Sequence, residues 1–459
     1  MDVKSIAFAC CPSAMRPLLS RIENSPVGYR LAKGVFWTLA GSVISRSLML
    51  LASILVARML GKDIYGEYGM VRSTVAMFGM LAGFSLGLTA TKHVAEYRLN
   101  DPDRAGRIIG LSSMFSVLMG MLMMVVLFIF APWLSEHTLK APQLSGALRI
   151  GSLVMFINAV NGAQTGALSG FESFKIIARV NFLVGMISFP VLVCGAYLGG
   201  LNGAVWALAV NLCFHWLLNH MALQKEARRF RVPLQYKGCL SESSVLWAFS
   251  MPAFLSGIVG VPVFWICKSM LVNQPDGYAA LGSITVTESW RMVPLFLCGM
   301  IEQVNLPILA QLYGNGDIRL FKKSVLAQLC INGTIVCVGA FFVILFSKPI
   351  MACYGPQFKS DYMALVFIIL STIPMQMTTV VGTVNRCIGK VKWNILINGI
   401  WAITFLIAAT FLVQHGAVGF ALATLIAYCG QLITTVFYLF WLFSAYSGFN
   451  NNISSKECP

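Results

Sequence analysis

The feature that most constrains this chain is a succession of apolar runs, each long enough to cross a lipid bilayer. About 20 apolar residues suffice for a transmembrane helix. Of 459 residues, 58% are hydrophobic and 11% are charged, whereas an ordinary soluble domain has about 25% charged residues. The sequence therefore predicts an all-α integral membrane protein with about twelve transmembrane helices. The predicted spans are 34–58, 67–91, 107–131, 144–167, 176–199, 201–223, 244–268, 279–304, 323–347, 361–385, 391–413 and 415–443.

The basic residues are distributed unevenly between the two sides of these spans. Of the 33 lysines and arginines, 23 lie on the side of the chain termini, six on the other side and four within spans. One of the six, Lys268, is predicted to lie at the membrane interface. Because cytoplasmic loops are enriched in Lys and Arg, we predict that both termini are cytoplasmic. The basic residues are spread over the links between spans and are not clustered on a domain. The enrichment of cytoplasmic links in Lys and Arg therefore accounts for the net charge of +16, and no nucleic-acid partner is predicted.

The longest internal link divides the spans into two sets of six. The predicted segments are a cytoplasmic N-terminal tail at 1–33, a six-helix bundle at 34–223, a cytoplasmic linker at 224–243, a second six-helix bundle at 244–445 and a cytoplasmic C-terminal tail at 446–459. Gly200 and Gly203 open span six, and Gly416 and Gly419 open span twelve, 216 positions later. A near-constant offset at matching places predicts that the bundles are repeated, related by an axis along the membrane normal.

The first span contains an arginine near its middle. A guanidinium at this depth costs at least about 2.5–3.5 kcal/mol on insertion scales, so such residues face a bundle interior or a water-filled cavity. We predict that Arg46 faces a cavity that favours negative charge. The alternative is a structural role, in which Arg46 hydrogen-bonds carbonyl groups of another helix. The residues that share its helix face are mostly polar: Thr38, Ser42, Ser45, Met49 and Ser53.

Other polar residues within the spans extend this set. Arg72, Arg291, Asn158 and Asn161 are further candidate substrate-binding residues, although snorkelling to the headgroups would also explain Arg72. Glu288 is the clearest mid-depth carboxylate and a candidate ion-coupling group. It lies three residues before Arg291 and is expected to pair with it, either for function or only to lock the bundle. A cavity with more arginine than carboxylate favours a phosphate or pyrophosphate over a cationic drug.

Motifs for catalysis or metal binding are missing from the sequence. The thirteen cysteines are scattered, without a CxxC pair or metal-like Cys/His spacing. No G-x-x-x-x-G-K-[ST] phosphate-binding loop occurs, and the five histidines are dispersed. We therefore predict that the protein is not an enzyme, with no catalytic residue, no metal and no cofactor.

Three segments together resemble a known family. Val56–Gly69 resembles the first outer loop of polysaccharide biosynthesis flippases, where an Arg-x-Leu-Gly…Tyr-Gly-x-Tyr pattern ends span one and opens span two. Gly166–Lys175 is similar to the loop after span four in that family, and Gly200–Ala204 to its entry into span six. The resemblance runs from about Lys33 to Tyr446. These O-antigen, or lipid-linked oligosaccharide, flippases belong to the multidrug/oligosaccharidyl-lipid/polysaccharide exporter superfamily.

The resemblance implies a V-shaped transporter fold whose two bundles alternate between inward and outward openings. It implies a protein of the bacterial cytoplasmic (inner) membrane that flips undecaprenyl-pyrophosphate-linked oligosaccharides for O-antigen, capsule or exopolysaccharide assembly. The implied partners are this lipid-linked substrate, membrane lipid and other polysaccharide assembly proteins. With this substrate, Arg46 is the first candidate to contact the pyrophosphate, Arg291 the second and Arg72 the third.

Two other functions stay open at the level of sequence. A multidrug or cation antiporter of the sister family predicts mid-depth carboxylates in the first half, and we find none there. A membrane-embedded enzyme of polysaccharide assembly predicts large outer loops with catalytic groups, and no outer loop is long enough to hold a catalytic domain.

Overall fold

The computed structural model describes residues 26–236, 238–314 and 317–454, with side chains described from Val43 to Trp441 apart from a few positions between 237 and 391. Within this part of the chain every regular element is helical, and no strand occurs. A helix satisfies all its backbone hydrogen bonds internally, which a lipid environment requires. The predicted all-α class is thereby confirmed.

The helices are numbered here in chain order. In the first half they are α1 (Pro26–Gly83), α2 (Leu86–Tyr97), α3 (Pro102–Trp133), α4 (Leu144–Gly170) and α5 (Phe174–Arg229). In the second half they are α6 (Met251–Gly257), α7 (Gly260–Val272), α8 (Gly277–Gly314), α9 (Ile318–Leu345), α10 (Ser347–Tyr354), α11 (Tyr362–Cys387), α12 (Val391–Leu412) and α13 (Gly416–Ser454).

Two of these helices are too long to cross a membrane only once. α1 has 58 residues and α5 has 56. Each would be about 85 Å long if straight, against about 30 Å for the hydrocarbon core of a bilayer. Non-helical glycines interrupt both, with Gly61 at φ +79° in α1 and Gly200 at φ +55° in α5. Because glycine adopts a positive φ at little cost, each helix divides there into two arms.

These breaks allow a single long helix to cross the membrane more than once. By length and hydropathy, seven segments of the described chain qualify as spans, or eight when the pair bent by 40° around residues 255–260 is joined. Three of the seven have 41, 56 and 50 residues and are long enough for two passages each. Every predicted span is helical over most of its length. The multi-pass architecture is confirmed, and the number twelve stays a prediction.

Connections between the passages gather at two opposite faces. The tight-turn face is defined by the breaks at Gly61, Gly200 and Gly416 and by the turn at 273–276. The linker face is defined by the connections at 98–101, 171–173, 230–245 and 388–390. Contacts join the two halves at the tight-turn face, where the Tyr278 hydroxyl donates to the carbonyl oxygen of Leu139 at 2.9 Å.

Equivalent positions in the two halves have the same local geometry. Gly200 has φ +55° and ψ −132°, and Gly416 has φ +65° and ψ −140°. Asp101 caps α3 and Asp317 caps α9, each accepting a hydrogen bond of 3.0 Å from the amide three residues later. Both pairs are separated by 216 positions, the offset of the predicted repeat. Such matching geometry is expected of two copies of one helical unit.

The two halves make close backbone contact where the second arm of α1 crosses α8. A Cβ built on Gly66 would lie 1.8 Å from the carbonyl oxygen of Tyr278, and one built on Gly282 would lie 2.2 Å from that of Lys62. Tyr278 lies four residues before Gly282, and Lys62 lies four residues before Gly66, so the two contacts are equivalent. This reciprocal contact is what a two-fold relation between the helices produces, and only glycine permits it because small residues let helices approach closely.

The region predicted as a linker, 224–243, has two parts. α5 continues to Arg229, six residues beyond the predicted end of span six. The remainder packs on α3, where the Glu242 carboxylate lies 3.1 Å from Arg104 and 3.1 Å from Arg107. This part of the linker therefore lies against the first half of the molecule.

Candidate functional site

Arg46 extends from the first half of the molecule to the second. It lies on the first arm of α1, and its guanidinium carbon is 4.1 Å from the centroid of the Phe296 ring on α8. The residue is nevertheless exposed. A cation over an aromatic face gains a modest electrostatic attraction. Arg46 therefore lies between the halves, in contact with one aromatic ring and open to a further partner.

The polar residues that share its helix face do not line one common surface. Ser45 lies toward α5, where its hydroxyl is 3.5 Å from the carbonyl oxygen of Asn181. Ser53 instead contacts the second half, with its hydroxyl 3.0 Å from that of Tyr354. The polar residues of this helix face therefore contact both halves, because the first arm of α1 packs on both. Two members of the predicted set have side chains outside the described part: Thr38 and Ser42.

An ion pair that the sequence did not reveal lies close to this interface. The Lys268 ammonium on α7 is 2.8 Å from the Glu288 carboxylate on α8, and the two side chains are 9% and 25% exposed. Lys268 was predicted at the membrane interface, and its depth in the membrane stays a prediction, but its side chain is buried within the protein. α7 and α8 are adjacent helices joined by the turn at 273–276, so the lysine meets the carboxylate of its neighbour.

Arg291 is buried without an ion partner among the described residues. Its guanidinium carbon lies 5.5 Å from the centroid of Phe264, and its Nε and Nη1 atoms have no hydrogen-bond partner. Glu288, the expected partner of Arg291, forms its ion pair with Lys268 instead. Glu288 and Arg291 still interact electrostatically. Leaving buried guanidinium nitrogens without hydrogen-bond partners costs free energy. The positive charge of Arg291 also adds to the positive potential of this region.

Arg72 lies on the second arm of α1 and is exposed. Its guanidinium carbon is 5.6 Å from the centroid of the buried Tyr68 ring, and it interacts electrostatically with Glu288 of the other half. Arg72 therefore belongs to the same charged region as Glu288.

Three cations surround one carboxylate in this region, because Lys268, Arg291 and Arg72 all interact with Glu288. Arg46 contacts the same helix, α8, at Phe296, eight residues beyond Glu288. Such an excess of positive charge in a region of low dielectric attracts anions. Guanidinium groups are suited to phosphate because their fork of donors matches two of its oxygens. Within the described residues, no group of three or more His, Cys, Asp or Glu could hold a metal ion.

The two predicted asparagines have different surroundings. Asn161 is buried, and its amide nitrogen donates to the carbonyl oxygen of Leu212 at 3.1 Å. Its side-chain oxygen accepts from Asn219 at 3.4 Å. These bonds join α4 to α5, so the Asn161 side chain is used within the first half. Asn158, one turn earlier, is exposed.

The tight-turn side of the interface is closed by polar contacts between the halves. Lys62 forms an ion pair of 2.8 Å with Asp361, which also accepts a hydrogen bond of 2.6 Å from Ser283. Nearby, Arg58 donates to the carbonyl oxygen of Cys353 at 2.6 Å. Together with the backbone contact at Gly66, these interactions separate the charged region from the tight-turn face.

Replacing Glu288 with glutamine is expected to destabilise the protein, because it leaves the buried Lys268 ammonium without its carboxylate. Removing one partner of a buried pair costs on the order of 3 kcal/mol, and the melting temperature in detergent should fall by several degrees. Adding Lys268→Met should restore most of the loss, because the unpaired ammonium is then gone.

The matched control is Glu172→Gln, which removes an ion pair of the same 2.8 Å length to Arg98, with a glutamate side chain that is 61% exposed. Exposed pairs contribute about 0–1 kcal/mol, so its melting temperature should change little. Equal shifts for the two variants would contradict the assignment of Glu288 to a buried pair.

Comparison with known proteins gives a family match over residues 31–313 to the model described as "Polysaccharide biosynthesis protein". This range is more than half of the chain. It contains the whole charged region between the halves.

Two relatives are similar in sequence. The EPS I polysaccharide export inner membrane protein EpsE of Ralstonia nicotianae is 21% identical over 396 residues, covering 85% of this chain and 89% of the relative. The lipid III flippase of Escherichia coli (strain K12) is 28% identical over 183 residues, covering 39% of this chain and 43% of the relative.

Two solved structures have a similar fold. An inward-facing multidrug resistance transporter of the MATE family, from the MOP superfamily, has a TM-score of 0.72 at 14% identity, covering 88% of this chain and 96% of that one. The lipid II flippase MurJ in an inward closed conformation has a TM-score of 0.68 at 13% identity, covering 88% of this chain and 87% of that one. At these identities the likeness establishes the transporter-like fold alone.

Proposed function

The chain belongs to the polysaccharide biosynthesis protein family, and from this premise we propose that it is a lipid-linked oligosaccharide flippase of the bacterial cytoplasmic membrane. Its passenger would be an undecaprenyl-pyrophosphate-linked oligosaccharide for O-antigen, capsule or exopolysaccharide assembly. The relatives named as a polysaccharide export protein and a lipid III flippase support a transport function rather than an enzymatic one.

The observation that carries this proposal is the exposed cationic surface between the halves. Arg46 and Arg72 are both exposed, and neither forms an ion pair with a carboxylate among the described residues. A guanidinium can bind two phosphate oxygens through parallel hydrogen bonds. We assign Arg46 and Arg72 to direct contact with the pyrophosphate. Arg291, which is buried, would attract it from within the second half.

The remaining candidate residues have separate proposed roles. Asn158 is exposed and offers its amide to sugar hydroxyls, whereas the Asn161 amide already has partners within the first half. Glu288 is the proposed ion-coupling group, since its side chain is one-quarter exposed while paired to Lys268. Protonating Glu288 would remove the one negative charge of the region and strengthen its attraction for pyrophosphate.

Orientation in the membrane completes the proposal. The excess of basic residues on the linker face assigns this face to the cytoplasm, with both termini there. The tight-turn face, closed by Lys62 and Asp361, then faces outward. A transporter closed on the outer side is ready to receive its passenger from the cytoplasm, and alternating access would require these contacts to open.

The test is reconstitution of the purified protein into vesicles that contain a defined lipid-linked oligosaccharide. We expect sugar to become accessible to a membrane-impermeant reagent on the opposite side, without ATP and faster than in protein-free vesicles. Exchange of a cationic drug for protons without sugar movement would instead identify an antiporter. A newly formed or broken glycosidic bond would identify an assembly enzyme.

A further inference from the structure

An apolar groove runs along the outer side of the second half, between α12 and α13. Its volume is about 310 Å³, within the range of small-molecule sites. Several of its side chains are open to the surroundings, including Phe437 at 72% and Leu396 at 53% exposure. Both helices are long and apolar enough to cross a membrane, so a groove on their outer surface would be open to lipid chains. The lining residues used below are Trp393, Leu396, Ile400, Phe437, Tyr438 and Trp441.

Three aromatic rings form a fixed wall at the linker-face end of the groove. The Trp393 centroid is 4.9 Å from that of Tyr438 and 5.4 Å from that of Trp441. The Tyr438 hydroxyl donates to Asn385 at 2.7 Å, and the Asn385 amide donates to Asn394 at 2.7 Å. These buried hydrogen bonds hold the wall in place before any ligand arrives, which lowers the cost of binding.

Positive charge lies at the same end of the groove. The Lys390 ammonium is 5.4 Å from the centroid of Trp441, and Lys392, two residues on, is exposed. Tryptophan and tyrosine are enriched at the level of the lipid headgroups, so these lysines lie where a headgroup phosphate would be. A hydrocarbon groove that ends at two lysines complements an amphiphile with an anionic head.

We propose that this groove is a binding site for an anionic glycerophospholipid of the membrane. One acyl chain lies between α12 and α13, and the headgroup phosphate lies beside Lys390 and Lys392. Lipid tails are as apolar as the groove, so burial of the chain alone gives little selectivity. The selectivity comes from the two lysines, at roughly fivefold per residue. The proposal does not depend on what the protein transports.

Native mass spectrometry of the purified full-length protein tests this assignment. The probes are phosphatidylglycerol and phosphatidylethanolamine with identical acyl chains, added together in equal amounts. We expect the protein to retain phosphatidylglycerol at least tenfold more than phosphatidylethanolamine. The double substitution Lys390→Gln and Lys392→Gln should bring the ratio near one. The matched control, Lys322→Gln and Lys323→Gln at the start of α9, should leave the ratio unchanged.

A second variant examines the groove itself. Trp441→Ala removes part of the wall and the ring beneath Lys390, so retention of phosphatidylglycerol should fall severalfold in a protein that still elutes as a single species. The proposal would be overturned if the lipid ratio were unchanged in the double lysine variant and the retention of phosphatidylglycerol were unchanged in Trp441→Ala. Displacement of phosphatidylglycerol by equimolar undecaprenyl phosphate would also overturn it, because the groove would then belong to a polyprenyl carrier.

Discussion

Arg46→Ala is expected to lower the rate of lipid-linked oligosaccharide translocation at least tenfold, with the protein still folded in the membrane. A hydrogen bond to a charged group contributes about 1.5–3 kcal/mol, and each 1.4 kcal/mol corresponds to a factor of ten in affinity. Arg46→Lys keeps the charge but loses the forked donor geometry. Its translocation rate should therefore lie between that of the unaltered protein and that of Arg46→Ala. The measurement is sugar translocation in reconstituted vesicles, normalised to the amount of protein inserted.

Arg149→Ala is the matched control for this prediction. Arg149 is another exposed arginine within a predicted span, and its guanidinium carbon lies 5.1 Å from the centroid of Phe128 on α3. This contact stays within the first half, so Arg149→Ala should translocate at the rate of the unaltered protein. A normal rate for Arg46→Ala, or an equal loss for both variants, would leave Arg46 with a structural role only.

Gly66→Ala is expected to prevent the close crossing of α1 and α8 and to lower translocation at least tenfold. The added Cβ would lie 1.8 Å from the Tyr278 carbonyl oxygen, whereas real Cβ contacts below 3.0 Å essentially do not occur. Since both partners are backbone atoms, the helices must separate. Hydrogen–deuterium exchange should increase over residues 58–70 and 277–286, because separation also strains the Lys62–Asp361 ion pair.

Gly282→Ala should reproduce this result from the other helix, since its Cβ would lie 2.2 Å from the Lys62 carbonyl oxygen. Gly146→Ala is the control, because a Cβ there meets nothing within 4 Å. It should change neither exchange nor translocation. Unaltered exchange in Gly66→Ala and Gly282→Ala would mean that the halves are not held together at this crossing.

The fold was largely predictable from sequence because its determinants are local. Apolar runs, glycines at the turns and the charge difference between links each act within one span and its neighbours. Gly200 is an example. Gly416 lies at the matching place in the second half of the sequence, which predicts that the two are equivalent, and they have nearly the same backbone conformation.

The charged region was only partly predictable, because its contacts join distant parts of the chain. Spacing along one helix suggested that Glu288 pairs with Arg291, but Lys268 on the neighbouring helix forms the pair at 2.8 Å. Arg46 was identified by the cost of placing a charge in an apolar span. Its neighbour Phe296 is 250 positions away and has no sequence signal that links it to an arginine.

The docked linker determines where the two halves could be made as separate polypeptides. Residues up to Glu242 are held on α3 by two arginines, and the Pro233 carbonyl oxygen lies where a Cβ on Gly106 would be. Ser243 and Ser244, directly after them, are exposed. Two co-expressed fragments divided between these serines would keep the linker on the same fragment as α3, to which it binds. A division after Arg229 would instead place the docked part of the linker on the fragment that contains the second half.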